Sequence, residues 1–214
     1  MTLTFLIIGL CGALLMFTGD QLLYLSKSTL GKQSGKTLDS KMDYIADTMK
    51  DLSPKRYCAS GYLGPVAAFV YCCGYYHLLL ICDPSWKIVA LIAFLFNCFG
   101  IICGGAFHSH FPYLGLFGKS EYKEERKVIQ NYFLKLMIFT YIGEGIGFVL
   151  MLLMIALGKT ILPQWVAVLT PGVLMFLKPL TLKIPGMAGK VLSGGWSNFI
   201  SVVYYLAAII CVAV

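Results

Sequence analysis

Charged residues are scarce in this chain: only 13% of its 214 residues are Asp, Glu, Lys or Arg, whereas 58% are hydrophobic. An average soluble domain is about one-quarter charged, so this composition argues against an ordinary soluble fold. The apolar residues are also unevenly distributed, because they form long blocks separated by short polar stretches. Such blocks are typical of helices that cross a bilayer, which need roughly 20 apolar residues each.

Metal-binding patterns are also scarce. The chain has three histidines, and its eight cysteines form no C-x-x-C pair that would indicate a zinc or redox site. Most of the cysteines lie inside apolar blocks, where cysteine usually packs as a small hydrophobic residue. We therefore predict neither a metal nor another cofactor.

Six apolar blocks have, or nearly have, the length of a membrane-spanning helix. In lipid, a helix satisfies its own backbone hydrogen bonds within one segment, and none of the blocks shows the alternation of a strand. The predicted fold is an all-α, polytopic membrane protein, a six-transmembrane-helix bundle in a single domain over residues 1–214. The predicted helices cover residues of about 3–24, 61–82, 86–109, 131–157, 161–182 and 195–214.

The positions of the basic residues predict the topology. All but two of the 17 lysines and arginines fall at one end of the predicted bundle, and the exceptions are Lys87 and Lys159. By the positive-inside rule this end is cytoplasmic, so both termini of a plasma-membrane protein would lie outside. The net charge of +7 then reflects topology, because the charges sit at membrane ends, and no nucleic-acid partner is predicted.

An amphipathic helix is predicted over about residues 37–52, within the first basic connection. Leu38, Met42, Ile45, Met49 and Leu52 recur at steps of three and four residues, with polar residues between them. This pattern favours a helix that lies on the inner leaflet, with a lid over a cytoplasmic opening as the alternative.

Glu144, near the middle of the fourth block, is the strongest candidate for a functional residue. An ionisable group at mid-membrane costs roughly 3 kcal/mol on insertion scales, so it marks a functional site by default. Gly143, Gly145 and Gly147 around it would allow a neighbouring helix to approach closely. A neutral Glu144 that only bonds to a neighbouring helix is the structural alternative.

The sequence HSH at the inner end of the third block contains His108 and His110. In a regular helix these side chains point about 200° apart, so they can chelate together only if the helix unwinds before Pro112. Zinc at Asp20, His108 and His110 is therefore a minor alternative. His77 is predicted near the outer face, too far away to share an ion with the other two. His108 is the better second catalytic candidate.

Other polar residues at the same inner level extend this site. Asp20, His110, Trp196, Asn198 and Lys178 are predicted to bind a ligand in a pocket that opens towards the cytoplasm or the inner leaflet. Pro171 and Pro179 interrupt the fifth block, and interrupted helices often border a cavity.

Three stretches resemble one of the uncharacterised bacterial six-helix integral membrane protein families: GPVAAFVY…GYYH, HSH and GGWSNFISVVYYLA. The resemblance implies no activity. From the residues, we expect a pocket that binds, and could transform, a lipid-like or amphiphilic molecule through Glu144 and His108. The expected partners are membrane lipids and that molecule. The alternatives are a small proton-coupled transporter, which could work as a homodimer, and a structural membrane assembly partner.

Overall fold

In a computed structural model of the protein, residues 1–25, 45, 52–117 and 123–214 are described. Within these ranges the chain is helical and contains no β-strand, which confirms the predicted all-α class. One isolated β-bridge joins Cys82 to Thr160 and ties together two short connections.

The helices of the described ranges are numbered along the chain. They are α1 (Thr2–Tyr24), α2 (Pro54–Tyr75), α3 (His77–Ile81), α4 (Lys87–Ser109), α5 (Phe111–Phe117), α6 (Lys123–Ala156), α7 (Pro171–Leu174), α8 (Lys178–Thr181) and α9 (Gly186–Ala213). Three short 3₁₀-helices accompany them, at Pro84–Trp86, Gln164–Leu169 and Met175–Leu177.

Five helical segments are long and apolar enough to cross a membrane, and they correspond to five of the six predicted blocks. They are Thr2–Tyr24, Pro54–Ile81, Pro84–Leu116, Glu124–Ala156 and Gly186–Ala213. Several begin or end up to nine residues beyond the predicted bounds. The apolar composition marks only the part of a helix that would lie in lipid, whereas backbone hydrogen bonding continues into the polar sequence.

The fifth predicted block, residues 161–182, is the one without a long helix, and it differs from the prediction because it is not one helix. It consists of the 3₁₀-helix Gln164–Leu169, α7, the 3₁₀-helix Met175–Leu177 and α8, which we call the broken segment. Pro171 begins α7 and Pro179 lies in the first turn of α8. Proline lacks the N–H that a helix interior requires but fits the first turn, so each proline starts a new piece. A count of six spanning helices is therefore not confirmed.

The helices pack in a ring. α1 lies between α9 and α2, α2 packs on α4, and α4 packs on α6. The broken segment contacts both α6 and α9, which closes the ring. We call the end where α1 finishes, α2 begins and α4 finishes the basic end of the bundle.

The predicted amphipathic helix 37–52 lies almost wholly outside the described residues. Ile45 and Leu52 are the described members of its apolar stripe, and both are buried. They belong to an apolar cluster at the basic end that also contains Leu23, Tyr57 and Phe111.

Candidate functional site

A cavity of about 540 Å³ lies inside the ring, towards the basic end. Five of the predicted site residues line it: Asp20, His108, Glu144, Lys178 and Asn198. They come from α1, α4, α6, α8 and α9, so every side of the cavity except α2 contributes one. Apolar side chains complete the wall, among them Met16, Ile101, Phe107 and Met137.

Asp20 is the centre of a hydrogen-bond network at the cavity wall. Its Oδ1 lies 3.3 Å from His108 Nε2, and its Oδ2 accepts a hydrogen bond of 2.7 Å from the Asn198 side-chain amide. Asp20 and His108 are each only 6% exposed. Both carboxylate oxygens are therefore engaged by neighbours, which holds the side chain in one orientation.

The His108 ring has contacts at both nitrogens. While Nε2 faces Asp20, Nδ1 lies 3.3 Å from the Ser60 hydroxyl. A neutral ring that donates from Nε2 to the carboxylate accepts at Nδ1 from the Ser60 hydroxyl. Ser60 is fully buried in α2 and does not line the cavity, so this Ser-His-Asp arrangement presents no nucleophile to a ligand. His108 therefore orients Asp20, and its ring nitrogens are not free for a ligand.

Ser60 and Tyr71 belong to this network but were not predicted from the sequence. The Tyr71 hydroxyl donates to Asn198 Oδ1 over 3.1 Å, so Asn198 is held from two sides. Ser60 and Tyr71 are eleven residues apart in α2, about three helical turns, and therefore share one face of the helix. That spacing was the available signal, although it does not indicate which helix the face contacts.

Glu144 lies deeper in the cavity than the network around Asp20. Its backbone is opposite Gly100 of α4, eight residues before His108, which is about 12 Å along the helix. The side chain is 9% exposed, and it has no hydrogen bond or ion pair with any residue of the described ranges. A carboxyl group so buried, facing a cavity and without a partner in the described ranges, is available to a ligand.

The glycines around Glu144 set how closely α6 approaches α4. A Cβ on Gly143 would come within 2.7 Å of the Gly100 backbone, and a Cβ on Gly147 would meet the Asn97 side chain. A Cβ on Gly145 would meet nothing within 4 Å. The prediction of close helix approach is therefore confirmed for Gly143 and Gly147 and is wrong for Gly145, which faces outward.

Lys178 brings a positive charge to the cavity from the broken segment. Asp20 is its acidic neighbour, but no carboxylate oxygen of the described residues lies within 4.0 Å of the ammonium group. The lysine is half-buried and is held near α9, which α8 contacts directly. It is therefore a second ionisable group at the cavity without a direct partner among the residues that the structure describes.

The other two predicted ligand-binding residues do not line the cavity. His110 Nδ1 donates to the Ala106 carbonyl over 2.6 Å, and its ring packs beside Tyr132. The Trp196 indole N–H donates to the Leu174 carbonyl over 3.2 Å and thereby fastens the broken segment to α9. Both contacts are structural. The His110 bond lies within the end of its own helix, and the Trp196 bond joins α9 to the broken segment.

The zinc alternative requires Asp20, His108 and His110 to converge, and the structure brings only the first two together. His110 turns back onto its own helix. Across the part of the chain that the structure describes, no three His, Cys, Asp or Glu side chains are grouped to hold a metal ion. His77 lies elsewhere, buried between the Gly74 carbonyl and the Tyr204 hydroxyl at 2.8 Å from each.

A family model matches residues 1–213, nearly the whole chain. The chain is a member of the family of unknown function DUF6796. Membership confirms the expected resemblance to an uncharacterised family, and no activity follows from it. No curated protein and no solved structure matches this DUF6796 chain.

Proposed function

We propose that the protein is an integral membrane protein whose cavity binds a lipid-like or amphiphilic small molecule. The proposal is carried by the convergence of Asp20, His108, Glu144, Lys178 and Asn198 on one cavity from five helices. Asp20, His108 and Asn198 pair with one another, but helices that only held one another would also pair Glu144 and Lys178 directly and leave no space between them. The volume of about 540 Å³ also falls within the range of ligand pockets, roughly 300–1,000 Å³.

The membrane part of the proposal is supported by the outer surface of the bundle. The five long segments are apolar, and large apolar side chains such as Phe69, Leu95 and Leu153 are exposed on it. Lipid tails are the natural solvent for such a surface. By the positive-inside rule, the basic end would face the cytoplasm and both termini the outside of the plasma membrane. With the broken segment as a sixth crossing, the cavity would then open towards the inner leaflet.

Glu144 is the residue that would exchange a proton with the ligand if the ligand is transformed. It faces the cavity, and no other described side chain engages it. A buried carboxyl group can act as a general acid or base when the reacting atom lies within hydrogen-bond distance. His108 would act through Asp20, since both of its ring nitrogens already have neighbours.

Transport is the second candidate, and one observation favours it. The broken segment borders the cavity through Lys178 and Leu182, and discontinuous segments typically form the substrate sites of secondary transporters. Flux of the identified ligand into proteoliposomes that contain the protein, absent from empty liposomes, would select transport over binding alone.

The decisive experiment fills the cavity. A side chain on Gly104 would start 3.4 Å from Thr140, in ordinary contact, and would extend into the cavity that both residues line. We therefore expect Gly104→Leu to abolish retention of the small molecule that copurifies with the protein in mild detergent, as measured by mass spectrometry of the extract. Gly145→Leu is the matched control, because that glycine faces outward on α6.

Equal amounts of the same molecule in wild type and both variants would place its binding outside the cavity. A further outcome is that the wild-type protein carries no molecule and binds none from total lipid or metabolite extracts. That result would overturn the binding proposal and favour the structural role.

A further inference from the structure

Two groups in the cavity have no hydrogen bond or ion pair with the described residues of the protein, and they carry opposite chemistry. Lys178 presents an ammonium group, which can only donate, and Glu144 presents a carboxyl group, which always accepts. Glu144 is buried and Lys178 is half-buried, and polar groups that are partly withdrawn from water in native proteins are usually partnered. The chemistry of Lys178 and Glu144 therefore indicates which complementary groups a ligand of this cavity would carry.

The two groups lie at different depths. Trp196 of α9 donates to the carbonyl of Leu174, and Lys178 follows Leu174 by four residues, in the direction of the basic end. Glu144 faces Gly100, which precedes His108 by about 12 Å along α4 in the opposite direction. A ligand that reaches both groups must therefore be extended, with its negative group nearer the basic end.

Asp20 does not neutralise Lys178 in the way a direct ion pair would. Both of its carboxylate oxygens are engaged, Oδ1 by His108 and Oδ2 by Asn198. The ammonium group of Lys178 keeps its donors for another acceptor. Asp20 instead sets a limit on the ligand, since a second negative group placed at its level would be repelled.

We propose that the occupant carries one anionic group, a phosphate or a carboxylate, at Lys178 and a hydrogen-bond donor, a hydroxyl or an ammonium, at Glu144. This inference rests on the proposed function and narrows its ligand class. Met16, Ile101 and Met137 line the same cavity and provide apolar contacts beside these polar ends. A neutral apolar ligand would displace water from both groups and replace none of its hydrogen bonds.

The chemistry can come from a phospholipid headgroup or from a free phosphorylated compound, and binding to the purified full-length protein distinguishes the two. The lipid probes are short-chain phosphatidylglycerol and phosphatidylethanolamine, which carry both features. Phosphatidylcholine lacks the donor and diacylglycerol lacks the anion. The soluble probes are glycerol 3-phosphate and phosphoethanolamine. Dissociation constants are measured by native mass spectrometry in an uncharged detergent.

We expect at least one probe with both features to bind about tenfold or more tightly than phosphatidylcholine and diacylglycerol, the gain of a well-placed charged hydrogen bond. Tighter binding of the lipid than of its soluble headgroup would identify a lipid ligand, and equal binding would identify a soluble one. Lys178→Met should reduce the affinity to that for diacylglycerol, and Lys178→Arg should largely retain it. Lys183→Met is the matched control, since that lysine is exposed and does not line the cavity.

Glu144→Leu should reduce the affinity for the two-feature probes to that for phosphatidylcholine, while Glu144→Gln, which keeps an acceptor, should lose less. Both variants must elute and melt like wild type for the comparison to count, and Glu144→Gln serves alone if the leucine variant does not fold.

The inference is wrong if phosphatidylcholine or diacylglycerol binds as tightly as the two-feature probes, or if Lys178→Met changes no affinity. It is also wrong if only water occupies the cavity and no probe binds. The proposed function survives the first two results if Gly104→Leu still abolishes binding of the copurified molecule, and fails with the inference if that substitution changes nothing.

Discussion

Asp20 and His108 meet at 3.3 Å although their helices, α1 and α4, both pack on α2, which lies between them in the ring. Their contact is possible because small residues let α2 approach α4. A Cβ on Gly64 of α2 would overlap the Cβ of His108, and a Cβ on Gly105 of α4 would come within 2.7 Å of Ala68. The absence of these side chains thus positions the ring that orients Asp20.

The first prediction concerns this approach. Gly64→Ala should lower the free energy of unfolding by about 1–3 kcal/mol, because the new methyl group displaces His108 from a packed site. The measurement is thermal unfolding of the detergent-purified protein. Gly19→Ala is the matched variant: its Cβ would lie 3.6 Å from Ser60 Oγ and 3.7 Å from the His108 ring, so it should be tolerated. Equal losses in the two variants would contradict the prediction.

The second prediction concerns the coupling of Asp20 and His108. Single substitutions Asp20→Asn and His108→Ala should each destabilise the protein, and the double variant should lose less than their sum by about 0.5–3 kcal/mol. Chemical or thermal unfolding of the four proteins measures this coupling. His110→Ala replaces His108→Ala in the control cycle, since His110 bonds within its own helix, and we expect its coupling to Asp20 to vanish.

The third prediction tests the crossing of α4 and α6. Gly143→Ala places a methyl group 2.7 Å from the backbone of Gly100, which cannot yield as a side chain can, so we expect a loss of about 1–3 kcal/mol. Gly145→Ala, two residues away and facing outward, should stay within about 0.5 kcal/mol of wild type. Thermal unfolding of both variants would show whether the difference follows the side of the helix.

The fourth prediction is a pH effect in the connection between α3 and α4. Asp83 Oδ1 accepts hydrogen bonds from the Ser85 hydroxyl at 2.5 Å and from the Ser85 backbone N–H at 2.8 Å, and these bonds, chiefly the first, lower the pKa of the exposed Asp83 carboxyl group. Because the folded pKa lies below the unfolded one, the resulting stabilisation is present above the unfolded value and is lost as pH falls through the folded one. Titration of the carboxyl carbon by NMR should show a higher pKa in Ser85→Ala; an unchanged pKa would refute the assignment.

The fifth prediction is that the purified protein carries no stoichiometric zinc. Asp20 and His108 supply at most two protein ligands, and a zinc site is usually completed by three or four. Elemental analysis by mass spectrometry, on protein purified without chelators, tests this. One equivalent of zinc that Asp20→Asn removes would restore the metal alternative.

Hydropathy along the sequence was sufficient to predict the five long apolar helices and to place Glu144 inside one of them. Whether a segment can cross a membrane depends on the apolar content of about 20 consecutive residues, and this content does not depend on which helices are neighbours. The prolines at 171 and 179 also indicated where the broken segment divides into shorter helices, because a missing N–H acts locally. The error was to read that block as one helix on its apolar content alone.

The sequence by itself therefore determined the helical class, the apolar segments and the set of ionisable residues near one end. Only the tertiary structure decided which of these residues meet. It brought Asp20, His108 and Asn198 together with Ser60 and Tyr71, and it turned His110 and Trp196 away from the cavity. The physical reason is that depth follows from position along a helix, whereas contact also depends on rotation and neighbour order. Close helix crossings at glycines such as Gly64 and Gly143 fix the rotation and the neighbours of each helix, because the whole ring packs around them.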